Sequence, residues 1–174
     1  METAGTSPNL VRFRARMLGG VHSSDSISSL SFWGHSMNQT DKLLQRRTGL
    51  LETLDMDVVE ATAERVVVTM PVSPRHLQPL GYLHGGASVA LAETAASIGA
   101  TLNAGEGMAA FGQEINANHL RSVRDGVLTA TATPIHAGRT SQVWQIVIHD
   151  ERERLICVSR CTLAVVSRSR DGSA

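Results

Sequence analysis

The chain has almost no lysine: 15 of its 16 basic residues are arginine, and only Lys42 carries an ammonium group. Lys42 lies far in sequence from the glycine-rich segment described below, so we do not expect a catalytic Schiff base on lysine. The formal net charge of the chain is zero, because 16 acidic residues balance the 16 basic ones. General electrostatic attraction to nucleic acid or to an anionic membrane surface is therefore not predicted.

Cysteine and long apolar runs are scarce as well. Cys157 and Cys161 lie four positions apart in a predicted strand, on one face of it but some way from each other. Since no second pair of ligands accompanies them, they do not suggest a zinc site, and we expect reduced thiols in the core. No apolar run approaches the roughly 20 residues of a membrane span. The composition predicts a cytoplasmic protein without a membrane partner.

The two ends of the chain differ in composition from its middle. Arginines alternate with apolar residues between positions 12 and 16, and a serine-rich stretch with few charges follows. We predict that residues 1–39 are a flexible extension; a transit peptide, or a true start at Met37, are the alternatives. A single domain with a sizeable core is expected over 40–167, followed by a tail at 168–174.

The pattern within this domain predicts an α+β fold, in which an antiparallel sheet wraps around one long central helix. The expected elements are, in order, short helical turns within 40–54, a hairpin of strands 56–59 and 65–72, a helix over 87–102, and strands at 109–121, 126–136, 140–149 and 154–167. Trp144 and Met70 are expected in the core.

The central helix carries one charged side chain, Glu93, among small and apolar residues. Those residues cover most of the helical circumference, so the helix is predicted to be buried nearly all round. Burying an ionised carboxylate costs several kcal/mol at least, unless it is partnered or its pKa rises. Glu93 is therefore either a surface-facing residue or a catalytic carboxylate.

The turn before the helix favours catalysis. His84, Gly85 and Gly86 stand where the first backbone N–H groups have no internal acceptor and carry the positive end of the helix dipole. Glycine lets a carbonyl group approach closely, and such an end can serve as an oxyanion hole. Eight positions separate Gly85 from Glu93, which is about 12 Å along a helix axis. If both act on one substrate atom, two copies must share each site, which predicts an obligate homodimer.

Five blocks of sequence carry a family resemblance. They are Gln78-Pro79, Gly81 to Ser88, Leu91-Ala92-Glu93 with Ser97, Glu114 to His119, and Gln142 to Ile146. In this order they resemble the hotdog-fold acyl-CoA thioesterases, and within them the branch that includes the 1,4-dihydroxy-2-naphthoyl-CoA thioesterase of menaquinone synthesis and the proofreading thioesterase of enterobactin synthesis. The likeness extends from about Leu44 to Val166.

The resemblance implies hydrolysis of an acyl-CoA thioester, with an aromatic or otherwise bulky acyl group as the leading expectation. It implies the hotdog fold and a homodimer that pairs into a homotetramer. No metal and no resident cofactor are expected, because coenzyme A is part of the substrate. The acyl group stays open, as does the choice between a coenzyme A and a carrier-protein thioester.

The resemblance also implies a catalytic set. The Gly85 N–H would bind the thioester carbonyl, which His84 would contact, and Gln78 would either donate its amide to the same oxygen or orient Glu93. Glu93 would attack the carbonyl to form a mixed anhydride, or act as general base on water. An apolar surround would raise its pKa and a helix N-terminus would lower it, so the sign stays open. Ser97, one turn later, would hold the carboxylate or the water, or simply pack.

Substrate-binding candidates complete the prediction. Tyr82, the only tyrosine, is interpreted as a wall of the acyl pocket, beside Gly86. Arginine, histidine and backbone N–H groups suit the phosphates of coenzyme A. The candidates of this kind at predicted strand ends and turns, each of which could instead be an ordinary solvated residue, are His119, Arg121, Ser122, His136, Arg139 and Thr140.

Three other functions compete with hydrolysis. A hydratase or dehydratase on the same fold would also pair a histidine with a carboxylate, but the order of the motifs argues against it. A non-catalytic acyl-CoA sensor would need an output module, for which the N-terminal 36 residues are too few. An interaction protein with a vestigial site is disfavoured because all five catalytic candidates are present together.

Overall fold

The computed structural model describes residues 11–12 and 47–168. Its elements are β1 (Val11–Arg12), α1 (Leu50–Thr53), β2 (Asp57–Ala61), β3 (Val66–Pro71), a 3-10 turn (Pro74–His76), α2 (Gly85–Ala104), β4 (Met108–His119), β5 (Val127–Ala137), β6 (Ser141–His149) and β7 (Leu155–Ser167). The strands form one antiparallel sheet in the order β1-β2-β3-β5-β6-β7-β4. The predicted α+β architecture is confirmed, with element ends shifted by a few residues.

The sheet closes around α2 because one of its faces is apolar. In β6, Gln142, Trp144, Ile146 and Ile148 are buried, while the residues between them are more exposed. This period of two is the pattern of a strand with one face on the core. Met70 of β3 is also fully buried, so the core positions predicted for it and for Trp144 are confirmed.

Small residues bring α2 close to the sheet. Its buried positions are Ala87, Ser88, Leu91, Ala92, Ala95, Ala96, Gly99 and Ala100. At Gly99 a Cβ atom would lie 2.5 Å from ring atoms of Trp144, so the indole occupies the space that a side chain would need. The indole Nε1–H donates to Gln142 Oε1 at 2.9 Å, and Gln142 in turn donates to Asn103 Oδ1 at 3.1 Å. A buried polar chain thus joins the end of α2 to β6.

One face of α2 remains partly open. The half-buried side chains on it are Val89, Ala90, Glu93, Thr94, Ser97 and Ile98. The prediction of a helix buried nearly all round is therefore wrong for a single chain, because the sheet covers only the opposite face. We call this set the open stripe of α2.

Most of the predicted terminal segments lie outside the described residues. Within the N-terminal 39, Val11 and Arg12 pair with Ala61 and Glu60 of β2, a pairing that the sequence did not predict. The flexible extension, the alternative start at Met37 and the C-terminal tail stay predictions. In the part of the chain that is described, no helix is long and apolar enough to cross a bilayer.

Candidate active site

A first cavity, of about 440 Å³, opens where α2 begins and β4 ends. Its lining residues are Gln78, Tyr82, Leu83, His84, Gly85, Ser88, His119, Leu120, Arg121, Ser122, Val123 and Ile156. Seven of the sequence-predicted site residues are therefore brought together here, from two separate segments of the chain. Among the lining residues, Arg121 carries a permanent positive charge, two are histidines and none is acidic.

His84 caps the N-terminus of α2 with its side chain. Its Nδ1 accepts the Gly86 N–H at 2.9 Å. Because Nδ1 is an acceptor, the proton of the neutral imidazole lies on Nε2, which is then a donor. Among the described residues the Gly85 N–H has no acceptor. The start of the helix therefore has two N–H donors, at the positive end of the helix dipole.

The close approach of His119 explains why Gly85 is a glycine. A Cβ atom at Gly85 would lie 2.9 Å from His119 Nε2. Any side chain there would displace the imidazole, since real Cβ atoms do not come so near. His119, at the end of β4, thus packs on the first residue of α2, and both line the cavity.

Gln78 is oriented by the turn that contains it. Its side-chain Oε1 accepts the Leu80 N–H at 2.6 Å, and its backbone N–H donates to Tyr82 O at 2.7 Å. This hydrogen bond holds Oε1 against the turn, and the amide NH2 group stays available to donate to a ligand. The turn is tied to the segment before β5 by a 2.7 Å hydrogen bond from the Leu83 N–H to Val123 O.

Arg124 contacts Tyr82, and the sequence did not predict this contact. Its guanidinium donates to the Tyr82 hydroxyl at 2.7 Å and lies 4.2 Å from the centroid of the Tyr82 ring. The arginine therefore fixes the ring that forms one wall of the cavity, through a hydrogen bond and a cation–π contact. The two residues are 42 positions apart, so no local pattern could have paired them.

His76, left without a role by the sequence, is buried at the end of the 3-10 turn that precedes this segment. Its Nδ1 accepts the Ser73 N–H at 3.1 Å, and its backbone carbonyl accepts the His84 N–H at 2.8 Å. Its Nε2 is buried with no hydrogen-bond partner among the described residues. Burial, and after it the nearby Arg75, lowers the pKa of His76. The neutral ring thus supports the segment that presents His84.

This histidine predicts a pH dependence of stability. In the unfolded chain, His76 binds a proton near pH 6.5. In the folded chain its pKa is lower, so the free energy of unfolding falls as the pH drops below that value. One proton contributes at most about 1.4 kcal/mol per pH unit. Urea unfolding at pH 7.5 and 5.5 should show a smaller loss for His76→Gln than for the wild type. Equal losses would contradict the assignment.

A second cavity, of about 490 Å³, lies along the open stripe of α2. Its lining residues are Leu50, Leu51, Gly86, Val89, Ala90, Glu93, Thr94, Ser97 and Ile98. Most are apolar, and Glu93 is the only charged residue among them. Glu93 and Ser97, one helical turn apart, open into the same cavity, as their spacing predicts. Within one chain, Glu93 and Gly85 line different cavities.

Glu93 points toward β4 and its neighbour β7. Burial first, and then the carboxylates of Glu93 and Glu114, raise the pKa of the Cys161 thiol to about 11. Burial also raises the pKa of Cys157. Both cysteines are buried and unpaired, which confirms the expected core thiols. Since a thiol of such high pKa stays protonated at neutral pH, Cys161 is a poor nucleophile, although it lies near Glu93.

Three predicted coenzyme A contacts lie elsewhere in the single chain. His136 is in the last part of β5, and Arg139 and Thr140 form the turn to β6. All three are exposed, and neither cavity is lined by them. One chain therefore does not bring them together with His119 and Arg121, because they belong to a different turn of the sheet.

Comparison with known proteins gives the family. Residues 80–157 match the model of the thioesterase superfamily. The chain is 50% identical over 122 residues to the 1,4-dihydroxy-2-naphthoyl-CoA hydrolase of Listeria monocytogenes, an alignment that covers 70% of this chain and 99% of the relative. It is 44% identical over 117 residues to the proofreading thioesterase EntH of Cronobacter turicensis, covering 67% of this chain and 85% of the relative.

A solved structure agrees with the sequence comparison. The crystal structure of a thioesterase from Haemophilus influenzae is 43% identical and superposes with a TM-score of 0.71, over 79% of this chain and 97% of that one. This superposition confirms the predicted hotdog architecture. The chain belongs to the thioesterase superfamily and is a thioester hydrolase.

Proposed function

We propose that this thioesterase hydrolyses an acyl-CoA thioester with an aromatic acyl group, at a site that two copies of the chain share. The free acid and coenzyme A are the products. Support for the substrate class comes from relatives whose names specify 1,4-dihydroxy-2-naphthoyl-CoA, in Listeria monocytogenes and in Escherichia coli. A role in menaquinone biosynthesis would follow from that substrate.

The observation that carries the shared site is the separation of donors from carboxylate. His84 and Gly85 line the first cavity, whereas Glu93 lines the second. The two groups stand about 12 Å apart along the helix axis. A thioester carbonyl needs both within hydrogen-bonding or attacking distance, so the Glu93 that serves one His84 comes from another copy.

Two surfaces of the chain suit such a second copy. The open stripe of α2 exposes Val89 and Ile98 beside Glu93 and would be covered by an antiparallel partner helix. β4 stands at the end of the sheet, and its outer edge has no partner strand among the described residues. A long unpaired edge is a site for strand addition. Phe111 on β4 is 61% exposed in the single chain, which favours a covered interface at this edge.

The chemistry would proceed on a polarised carbonyl. The oxygen receives the Gly85 N–H and His84 Nε2–H, with the Gln78 amide as a third donor. Glu93 of the other copy then attacks the carbonyl carbon, and the thiolate of coenzyme A departs. The mixed anhydride that has formed between Glu93 and the acyl group is hydrolysed by water. Alternatively, Glu93 takes a proton from water as the water attacks. Ser97, one turn away, would hold the carboxylate or the water in either route.

Each end of the substrate has a suitable environment. His119, Arg121 and Ser122 at the first cavity would bind the coenzyme A moiety, since its phosphates prefer cationic and hydroxyl donors. The apolar second cavity, with Leu50 and Leu51 from α1, would receive the acyl group, as ligand pockets are mainly apolar. His136, Arg139 and Thr140 would contribute only if the assembly brings another chain's β5–β6 turn to the nucleotide. A dimer of dimers would do this.

A second candidate is a proofreading thioesterase of broad specificity. The relative named EntH favours it, as does the open first cavity, which could admit a carrier-protein thioester. The two candidates differ in which thioesters are cleaved.

The experiment that tests the proposal is thiol release from a panel of thioesters, followed with a thiol-reactive dye. The panel contains a naphthoyl-CoA analogue, benzoyl-CoA, phenylacetyl-CoA, a medium-chain fatty acyl-CoA and a benzoyl thioester of a carrier protein. We expect the highest kcat/KM with an aromatic acyl-CoA. Similar values for every thioester would favour the proofreading candidate. Binding without thiol release would overturn catalysis.

A further inference from the structure

Gly112 stands in the interior of β4, where a glycine is costly. Glycine in a strand lowers stability by about 0.5–1 kcal/mol relative to alanine. The backbone does not require it, because Gly112 is not among the residues with positive φ. It is exposed in the single chain, so close packing against the core does not require it either. Another close approach must explain the missing side chain.

The neighbour is the carboxylate of Glu93. A Cβ atom built on Gly112 would meet Glu93 Oε1 closer than van der Waals contact allows and would lie 3.3 Å from its Cδ. The three nearest atoms to that position all belong to Glu93. The carboxylate of α2 thus rests directly on the backbone of β4.

The strand is also irregular at this point. Gly112 pairs with Leu163 and Glu114 with Thr162 of β7, which leaves Gln113 as an extra residue. Such a bulge bends a strand and redirects its side chains, and bulges are common beside active sites. Here it lies next to the place where the Glu93 carboxylate meets β4.

We propose that Gly112 is a positioning residue, which sets where the Glu93 carboxylate stands for attack on the thioester. This inference rests on the proposed function of Glu93. An alanine at position 112 would push the carboxylate away from the strand. Because the displaced atoms are the end of a flexible side chain, the fold can absorb the change. The rate of the reaction is more sensitive to this change, since a misplacement of about 1 Å can lower a rate by up to 10²-fold.

The test is Gly112→Ala, compared with Gln113→Ala at the neighbouring exposed position of the bulge. For Gly112→Ala we expect kcat to fall about 10-fold or more, with KM within about 2-fold and an unchanged or higher Tm. Gln113→Ala should keep kcat, KM and Tm. An unchanged kcat in Gly112→Ala would overturn the proposal.

A double-mutant cycle separates positioning from a structural role. If Gly112 acts through Glu93, Gly112→Ala should cause no further loss in a Glu93→Gln background. An additional loss equal to that in the wild type would overturn the inference, as would dissociation of the Gly112→Ala dimer in size-exclusion chromatography with light scattering. Full activity of Glu93→Gln would instead reject the proposed function itself, so the two failures are distinguishable.

Discussion

Thiol release from an aryl-CoA thioester is expected to fall at least ~100-fold when Glu93 is replaced by glutamine, the loss typical of a missing general base or nucleophile. Glutamine keeps the size of the side chain but can neither attack the carbonyl nor accept a proton from water. The carboxylate lines a largely apolar cavity in which no other acid stands. The expected change is in kcat, with binding of the thioester retained.

Steady-state kinetics and a binding titration with a non-hydrolysable acyl-CoA analogue measure the two effects separately. Glu106→Gln makes the same chemical change at an exposed position in the loop after α2, and should leave both kcat and KM as they are. A Glu93→Gln enzyme with more than about a tenth of the wild-type kcat would rule out Glu93 as the group that attacks or activates water.

The second large effect is recovery of activity in a mixed dimer. Glu93→Gln lacks the carboxylate, and His84→Asp lacks the imidazole donor while keeping an oxygen that can cap α2. Each variant alone should be nearly inactive. In a dimer of one chain of each kind, one site combines the intact His84 of the first chain with the intact Glu93 of the second. About half of the wild-type activity per dimer should return.

Co-expression of the two variants with different affinity tags, followed by purification on both tags, isolates the mixed assembly. Singly tagged parents purified from the same cells are the controls. If each site lay within one chain, every site in the mixed dimer would carry a defect. Activity no higher than that of the parents would therefore disprove the shared site.

Much of the fold was predictable because its signals are local. Apolar residues alternate with polar ones in the strands, and small and apolar residues dominate the helix. These patterns predict the main strands and α2, with their ends displaced by a few residues. The same holds for the turn before α2, where His84, Gly85 and Gly86 follow one another. Even the separation of Gly85 from Glu93 follows from the rise of a helix, which is the same in every protein.

Contacts between distant segments were not predictable in this way. The pairing of Arg124 with Tyr82 and the position of His119 above Gly85 depend on which loops the sheet brings together. The neutral state of His76 depends on burial, which sequence spacing does not reveal. These features come from strand order and register, and a single sequence carries no local record of either.

The sequence by itself determined the architecture, the start of the central helix at the glycine-rich turn and the presence of one carboxylate in that helix. Only the tertiary structure decided that this helix leaves one face half-covered, that His84 and Glu93 line separate cavities, and that the Glu93 carboxylate lies against Gly112 of β4. The physical reason is range: helix geometry is set by residues three or four apart, whereas the carboxylate's surroundings are set by strands that fold against it from far along the chain.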